Sequence, residues 1–286
     1  MNLTSPSQVK SWCIENGFHP NKVLGQNFLS DGNALRAIVD AGLQGLETKD
    51  ERHGDHVSGL PSHVLEIGPG LGVLTEEMLK RGCKVTAIEK DPVLAARLEG
   101  EAKARSEGEQ WWKNLSVWTG DALDVISSPS PLHFASFSCM ISNLPYQAGT
   151  RILLEFVKAR QFKSMTVLVQ TEVAERLAAR EGSKTRGLAG VWAQLDYDVR
   201  IVRKVAASCF WPRPEIGSSV VRLDRHDRNL ALSDGERDLF HRLTKQAFEH
   251  RRKQLGSIFK DMIQSTARAE ELSNEDWINL VKELAK

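Results

Sequence analysis

The feature that most constrains this 286-residue chain is the alternation, from residue 63 to residue 223, of short apolar runs with amphipathic stretches of helical length. Apolar runs bounded by such stretches are the pattern of a mostly parallel sheet covered by helices on both faces, because parallel neighbours need a long crossover between them. The runs predict seven strands, at 63–67, 84–89, 115–119, 139–143, 164–170, 197–202 and 219–223. Apolar residues at three and four spacing predict crossover helices at 71–81, 91–104, 150–159 and 171–179. No helix-length segment separates the last two strands, and the 206–217 link carries Pro212 and Pro214, so an antiparallel return is expected at that edge. Polar stretches at 44–62, 105–113 and 127–138 read as loops. After residue 223 the pattern is purely helical, at 234–247, 251–263 and 274–285. The expected architecture is α/β: a Rossmann-like domain over 1–224 holding the seven-stranded, mostly parallel sheet, and a small all-helical C-terminal domain over 225–286.

Composition narrows the partners. The formal net charge of +1 hides an asymmetry: residues 1–150 hold 13 Lys/Arg against 18 Asp/Glu, and residues 151–286 hold 25 against 19. A basic excess confined to one half hints at a polyanion partner. No stretch reaches the roughly 18 to 20 apolar residues that span a bilayer, and the start lacks the apolar core of a secretory signal. A cytoplasmic protein without membrane contact is expected. Cys13, Cys83, Cys139 and Cys209 lie far apart without metal-ligand spacing, so no metal site is expected, and the thiols are read as reduced and largely buried.

The chemistry clusters at predicted strand ends. After the first strand comes Glu66-Ile67-Gly68-Pro69-Gly70-Leu71-Gly72, a glycine-rich turn where Gly68 and Gly70 let the backbone approach a cofactor closely. The run is GxGxG, not the GxGxxG of dinucleotide sites, which favours a cofactor without a pyrophosphate. Glu89, ending the second strand, lies where ribose hydroxyls would be, and Gly120-Asp121-Ala122, after the third, puts a carboxylate where an adenine amine would be. Any one of these is a weak signal; on three successive strand ends they describe S-adenosylmethionine.

The fourth strand ends in Asn143-Leu144-Pro145-Tyr146. An adenine N6 amine is a poor nucleophile because its lone pair is delocalised into the ring. A catalyst must hold it with acceptors that favour a more tetrahedral nitrogen. The Asn143 side-chain oxygen and the Leu144 carbonyl are suited to take the two N–H bonds, Pro145 to aim that carbonyl, and Tyr146 to stack on the base.

Together with Gly25-Gln26-Asn27-Phe28-Leu29, Gln170-Thr171-Glu172-Val173 and Phe210-Trp211-Pro212-Arg213-Pro214, these motifs stand in the order found in the KsgA-type small-subunit ribosomal RNA adenine N6,N6-dimethyltransferases, which the chain resembles from about Lys22 to Leu255. The resemblance implies a class I methyltransferase fold and transfer of methyl groups to two adjacent adenosines in a hairpin loop near the 3′ end of 16S ribosomal RNA, in the assembling small subunit. It implies that Asn27 and Leu29 close over the cofactor beside Gly68, Gly70, Glu89, Asp121, Ala122 and Asn143. Phe210 matches an aromatic residue flanking the target base, and Arg251, Arg252 and Lys253 match a basic RNA-binding helix. A monomer is expected. Two alternatives stay open: a large-subunit RNA methyltransferase of the macrolide-resistance type, and an RNA-binding assembly factor without turnover. A nicotinamide-dependent oxidoreductase is disfavoured by the GxGxG run.

Overall fold

The computed structural model describes residues 1–21, 24–46, 62–127, 136–229 and 232–285. Its elements begin with α1 (Pro6–Glu15), β1 (Phe28–Leu29), α2 (Gly32–Leu43), β2 (His63–Ile67), α3 (Val73–Lys80), β3 (Lys84–Glu89) and α4 (Pro92–Arg105). Then come β4 (Leu115–Thr119), α5 (Ala122–Ser127), β5 (Cys139–Asn143), α6 (Gly149–Lys158), β6 (Ser164–Gln170), α7 (Thr171–Ala178) and α8 (Leu188–Asp196). The chain finishes with β7 (Tyr197–Val205), β8 (Phe210–Trp211), β9 (Ser218–Arg225), α9 (Asp234–Glu249), α10 (Leu255–Phe259) and α11 (Asn274–Leu284).

Seven strands form one sheet in the order β4-β3-β2-β5-β6-β9-β7. The pairs β2/β3, β3/β4, β2/β5 and β5/β6 are parallel. Burial follows position in the sheet. The inner strands β2, β3, β5 and β6 are buried along nearly their whole length, which is why they read as unbroken apolar runs. Edge strands β4 and β7 alternate with exposed residues. The 206–217 link joins two strands that are neighbours, β7 and β9, without a crossover helix.

Local chemistry sets where the helices begin. The Asp91 side chain accepts from the N–H groups of Val93 and Leu94 and, with Pro92 behind it, starts α4; Asp31 caps α2 by accepting from Ala34. Helix α2, absent from the predicted set, packs on the sheet so closely that a Cβ on Gly42 would stand 2.4 Å from Ile141 Cδ1. Two buried arginine bonds add to this contact, from Arg222 to the carbonyls of Ala41 and Gln44.

The chain divides into two compact units, Met1–Thr171 with Ile201–Arg222, and Glu172–Arg200 with Leu223–Lys286. The second unit therefore takes in α7 and α8, which the sequence pattern assigned to the sheet domain. The reason is packing: α8 buries Val191, Trp192 and Leu195, and Trp192 Nε1 donates to Thr244 Oγ1 of α9 at 2.9 Å. Capping boxes start α9 (Ser233 with Glu236) and α11 (Ser273 with Asp276). The helix predicted over 251–263 is corrected to a turn followed by the short α10. Gln254 forms an extended bridge with Arg268, so the helix starts only at Leu255, where the N–H groups of Leu255 and Gly256, free in a first turn, donate to the carbonyls of Ala267 and Ser265. Loops expected at 44–62 and 127–138 lie mostly outside the described residues. Among the described residues no helix is long and apolar enough to cross a membrane. Cys13, Cys83 and Cys139 are buried free thiols, and Cys209 is half-buried.

Candidate active site

A cleft of about 390 Å³ opens in the first unit, lined by the residues that follow β2, β3, β4 and β5. Gly68, Gly70 and Gly72 have φ of 66°, 59° and 87°, a backbone shape that side chains oppose. A Cβ on Gly70 would come within 3.1 Å of the Phe28 ring, and one on Gly72 within 2.7 Å of Leu98. The glycine-rich run is thus a cradle whose backbone shape opposes side chains at all three glycines, and where Gly70 and Gly72 also leave little room for one.

Three carboxylates line the cleft. Glu89 Oε2 accepts from the Gly70 N–H at 3.0 Å and Oε1 from the Asp91 N–H at 2.9 Å, so its carboxylate plane is fixed. Burial pushes its pKa above the ordinary carboxylate range, against those backbone bonds. Asp121 Oδ2 accepts from Lys90 Nζ at 2.7 Å and Oδ1 from the Leu123 N–H at 2.9 Å. The bond from Lys90 holds the Asp121 pKa down. Glu66 is the deepest, 1% exposed, with the Thr75 hydroxyl donating to its Oε2 at 2.6 Å. Burial outweighs that bond and, with the charge of Glu89 adding to it, its pKa is pushed up to about 8.

At the end of β5 the side chain of Asn143 is held by one end. Its Nδ2 donates to the Asn27 carbonyl at 3.2 Å, while its Oδ1 is buried without a hydrogen-bond partner. A buried acceptor left alone costs about 1 to 3 kcal/mol, so this atom is placed to meet a donor from a bound molecule. The Leu144 N–H donates to the Leu168 carbonyl at 3.2 Å, and the Gly149 N–H to the Pro145 carbonyl at 2.7 Å, which fixes the turn and opens α6. The Tyr146 hydroxyl shares a 2.6 Å bond with Ser218 Oγ, leaving the ring at the cleft wall.

The segment before the sheet closes the cleft from the other side. Gly25, at φ 66°, comes so near the turn that its Cβ would lie 3.0 Å from the Tyr146 nitrogen. Beyond it β1 pairs antiparallel with β8, Phe28 opposite Trp211 and Leu29 opposite Phe210, and the Ser30 N–H donates to the Cys209 carbonyl at 2.8 Å.

Of the residues expected at the site, Asn27, Leu29, Gly68, Gly70, Glu89 and Asp121 line this one cleft. So do Ala122, Asn143, Leu144, Pro145 and Tyr146. Phe210 does not: it is 3% exposed and packs in the core cluster that includes Leu29, because strand alternation in β8 turns it inward. Arg251, Arg252 and Lys253 stand in a turn between α9 and α10, where Arg251 donates to the Lys184 carbonyl at 2.5 Å and lies 3.5 Å from Glu270. The sequence reading missed Leu3 and Val9, which reach the cleft wall from α1 and its approach, and Arg151 on α6. Val9, Trp12 and Cys13 after Pro6 are the spacing that announces α1. Among the described residues no three His, Cys, Asp or Glu side chains gather as a metal would need.

A glycine cradle, a fixed carboxylate after the next strand, a second after the third and an amide oxygen awaiting a donor fit a nucleoside bearing an amino-acid tail. On this parallel sheet they define a Rossmann-like S-adenosylmethionine-dependent methyltransferase. The model of the family described as ribosomal RNA adenine dimethylase matches residues 17–286, and the chain belongs to that family. Ribosomal RNA small subunit methyltransferase A of Deinococcus radiodurans is 40% identical over 265 residues, covering 91% of this chain and 79% of the relative. The protein of that name from Mycobacterium avium is 33% identical over 307 residues, covering 100% of this chain and 89% of its own. Among solved structures, a dimethyladenosine transferase from Plasmodium falciparum is similar with a TM-score of 0.69 at 22% identity, over 89% of this chain and 96% of that one. The 23S ribosomal RNA methyltransferase ErmE has a TM-score of 0.61 at 21% identity, over 91% and 100%. These last two are likenesses of fold.

Proposed function

We propose that this protein, acting as a cytoplasmic monomer on the assembling small ribosomal subunit, dimethylates N6 of two adjacent adenosines in the hairpin loop near the 3′ end of 16S ribosomal RNA. The observation that carries this reading is the unpartnered Asn143 Oδ1 at the wall of the cleft. The relatives named small subunit methyltransferase A support the choice of RNA.

S-adenosylmethionine, when bound, supplies an electrophilic methyl group on its sulfonium. Glu89 would hold its ribose hydroxyls and Asp121 its adenine amine, with Gly68, Gly70, Ala122, Asn27 and Leu29 lining the same cleft. Asn143 Oδ1 accepts one N–H of the target amine and the Leu144 carbonyl takes the other, with Pro145 fixing that carbonyl's direction. These bonds strengthen as the nitrogen turns tetrahedral, so they stabilise the transition state more than the ground state. The Tyr146 ring stacks on the base while Ser218 keeps its hydroxyl out of the way. An unpaired loop adenine costs less to bring into the cleft than a paired one.

Mass spectrometry of nucleosides from 16S and 23S ribosomal RNA, from cells with and without the protein, tests the reading. Loss of dimethyladenosine from 16S RNA alone is expected. Unchanged 16S RNA, or loss from 23S RNA instead, overturns it.

A further inference from the structure

Resting on the reading that RNA is the substrate, we propose that Arg203, Lys204 and Arg213 form a strip that grips RNA phosphates beside the mouth of the cleft. Strand β7 is the last in the sheet, and towards its end Val202, Arg203 and Lys204 are exposed while Val205 turns in. Arg213 is exposed on the link that leaves β7. Residues 203–217 hold these three cations against a single carboxylate, Glu215.

What makes the strip more than a basic surface is how the link is fastened. Phe210 and Trp211 are paired with Leu29 and Phe28, next to the Asn27 carbonyl that holds Asn143. At its other end Ser218 is bonded to the Tyr146 hydroxyl, and a Cβ on Gly217 would lie 3.2 Å from the Val205 carbonyl. The middle and the far end of the link therefore touch residues that build the cleft, with Arg203 and Lys204 just before the link in sequence and Arg213 within it. Guanidinium groups present forked donors that match phosphate oxygens. Half-buried Trp211 and exposed Ile216 place apolar surface among these charges, as single-stranded nucleic acid sites do.

Lysines and arginines on an edge strand also block unwanted strand pairing. That accounts for Arg203 and Lys204, yet leaves Arg213, off the strand, without a reason. A phosphate strip accounts for all three.

Binding of unmodified 16S RNA, free and in small subunits, is to be measured against salt for the wild type and for the Arg203→Ala/Lys204→Ala/Arg213→Ala variant. With about 0.7 units of slope per phosphate on a single strand, the plot of log K against log salt should flatten by about two units. Arg213→Ala alone should give about a third of this, which edge protection would not produce. Cofactor affinity and kcat at saturating RNA should stay at wild-type values. An Arg252→Ala/Lys253→Ala variant serves as comparison for the second unit. An unchanged slope in the triple variant, with wild-type binding intact, overturns the strip and leaves the methylation reading standing. A wild type that neither binds nor methylates RNA overturns both.

Discussion

The Asn143 amide is tied by its nitrogen to the Asn27 carbonyl, 116 residues earlier in the chain and 3.2 Å away, and this single bond decides which end of the amide faces the cleft. Rotating the group by half a turn would bring its oxygen against that carbonyl, oxygen against oxygen. The acceptor is therefore held ready for a donor before any base arrives.

Asn143→Ala should lower kcat by about a hundredfold or more with RNA affinity almost unchanged, the range for losing one preorganised polar group at a reacting centre. Monomethyladenine should accumulate, because the half-methylated amine keeps one N–H and depends more on the remaining acceptor. Single-turnover assays with product analysis check this. Wild-type kcat with a normal share of dimethyladenine would remove Asn143 from the mechanism.

Tyr146→Ala should cost the stacking of the base, about 1 to 3 kcal/mol. Tyr146→Phe keeps the ring and loses only the bond to Ser218, so it should retain most activity. Steady-state kinetics on both variants separate ring from hydroxyl, and equal losses would mean the hydroxyl takes part.

Glu89→Ala should weaken S-adenosylmethionine binding by about 1.5 to 3 kcal/mol, the usual value of bonds to a charged group. Titration calorimetry reads this directly. The variant also frees the Gly70 N–H, so Glu89→Gln, which can still accept from it, should lose less. An unchanged dissociation constant in Glu89→Ala retires the ribose role.

Stability should depend on pH through Glu66. Its pKa of about 8 in the folded protein, against the ordinary 4.5, means that the native state holds a proton the unfolded chain has released. Stability from this group is therefore fully present below about pH 4.5 and declines as pH rises to about 8. Glu66→Gln, neutral at every pH, should flatten that decline in urea-unfolding experiments run across the window. A slope identical to wild type would show that Glu66 is ionised in the folded protein.

The sheet was legible because inner strands buried on both faces leave continuous apolar runs. Those at 63–67, 84–89, 139–143 and 164–170 have the expected ends, as does the edge strand at 115–119, which is not buried on both faces. Residues bearing chemistry at those ends came with them, so Gly68, Glu89, Asp121 and Asn143 share one cleft. What was not legible depends on distant partners. Two-residue strands such as β1 and β8 have no periodicity to read, and the inward turn of Phe210 follows from their pairing. Helix α10 is short because Gln254 before it is bridged to Arg268 and Lys260 after it has a φ of 44°, and a pairing with so distant a residue is one no local pattern announces.

The pairing of Leu29 with Phe210 also bears on how the protein comes into being on a ribosome. Strands β2 to β6 are complete once residue 170 has been made, and neighbouring strands can pair as they emerge. The roof of the cleft must wait for Trp211, since β1 has no other strand to pair with among the described residues. Closing so long a loop comes late in folding. A nascent chain halted before β8 would hold most of its sheet and still lack a finished cofactor cleft, so the capacity to bind cofactor is acquired only once β8 has been made.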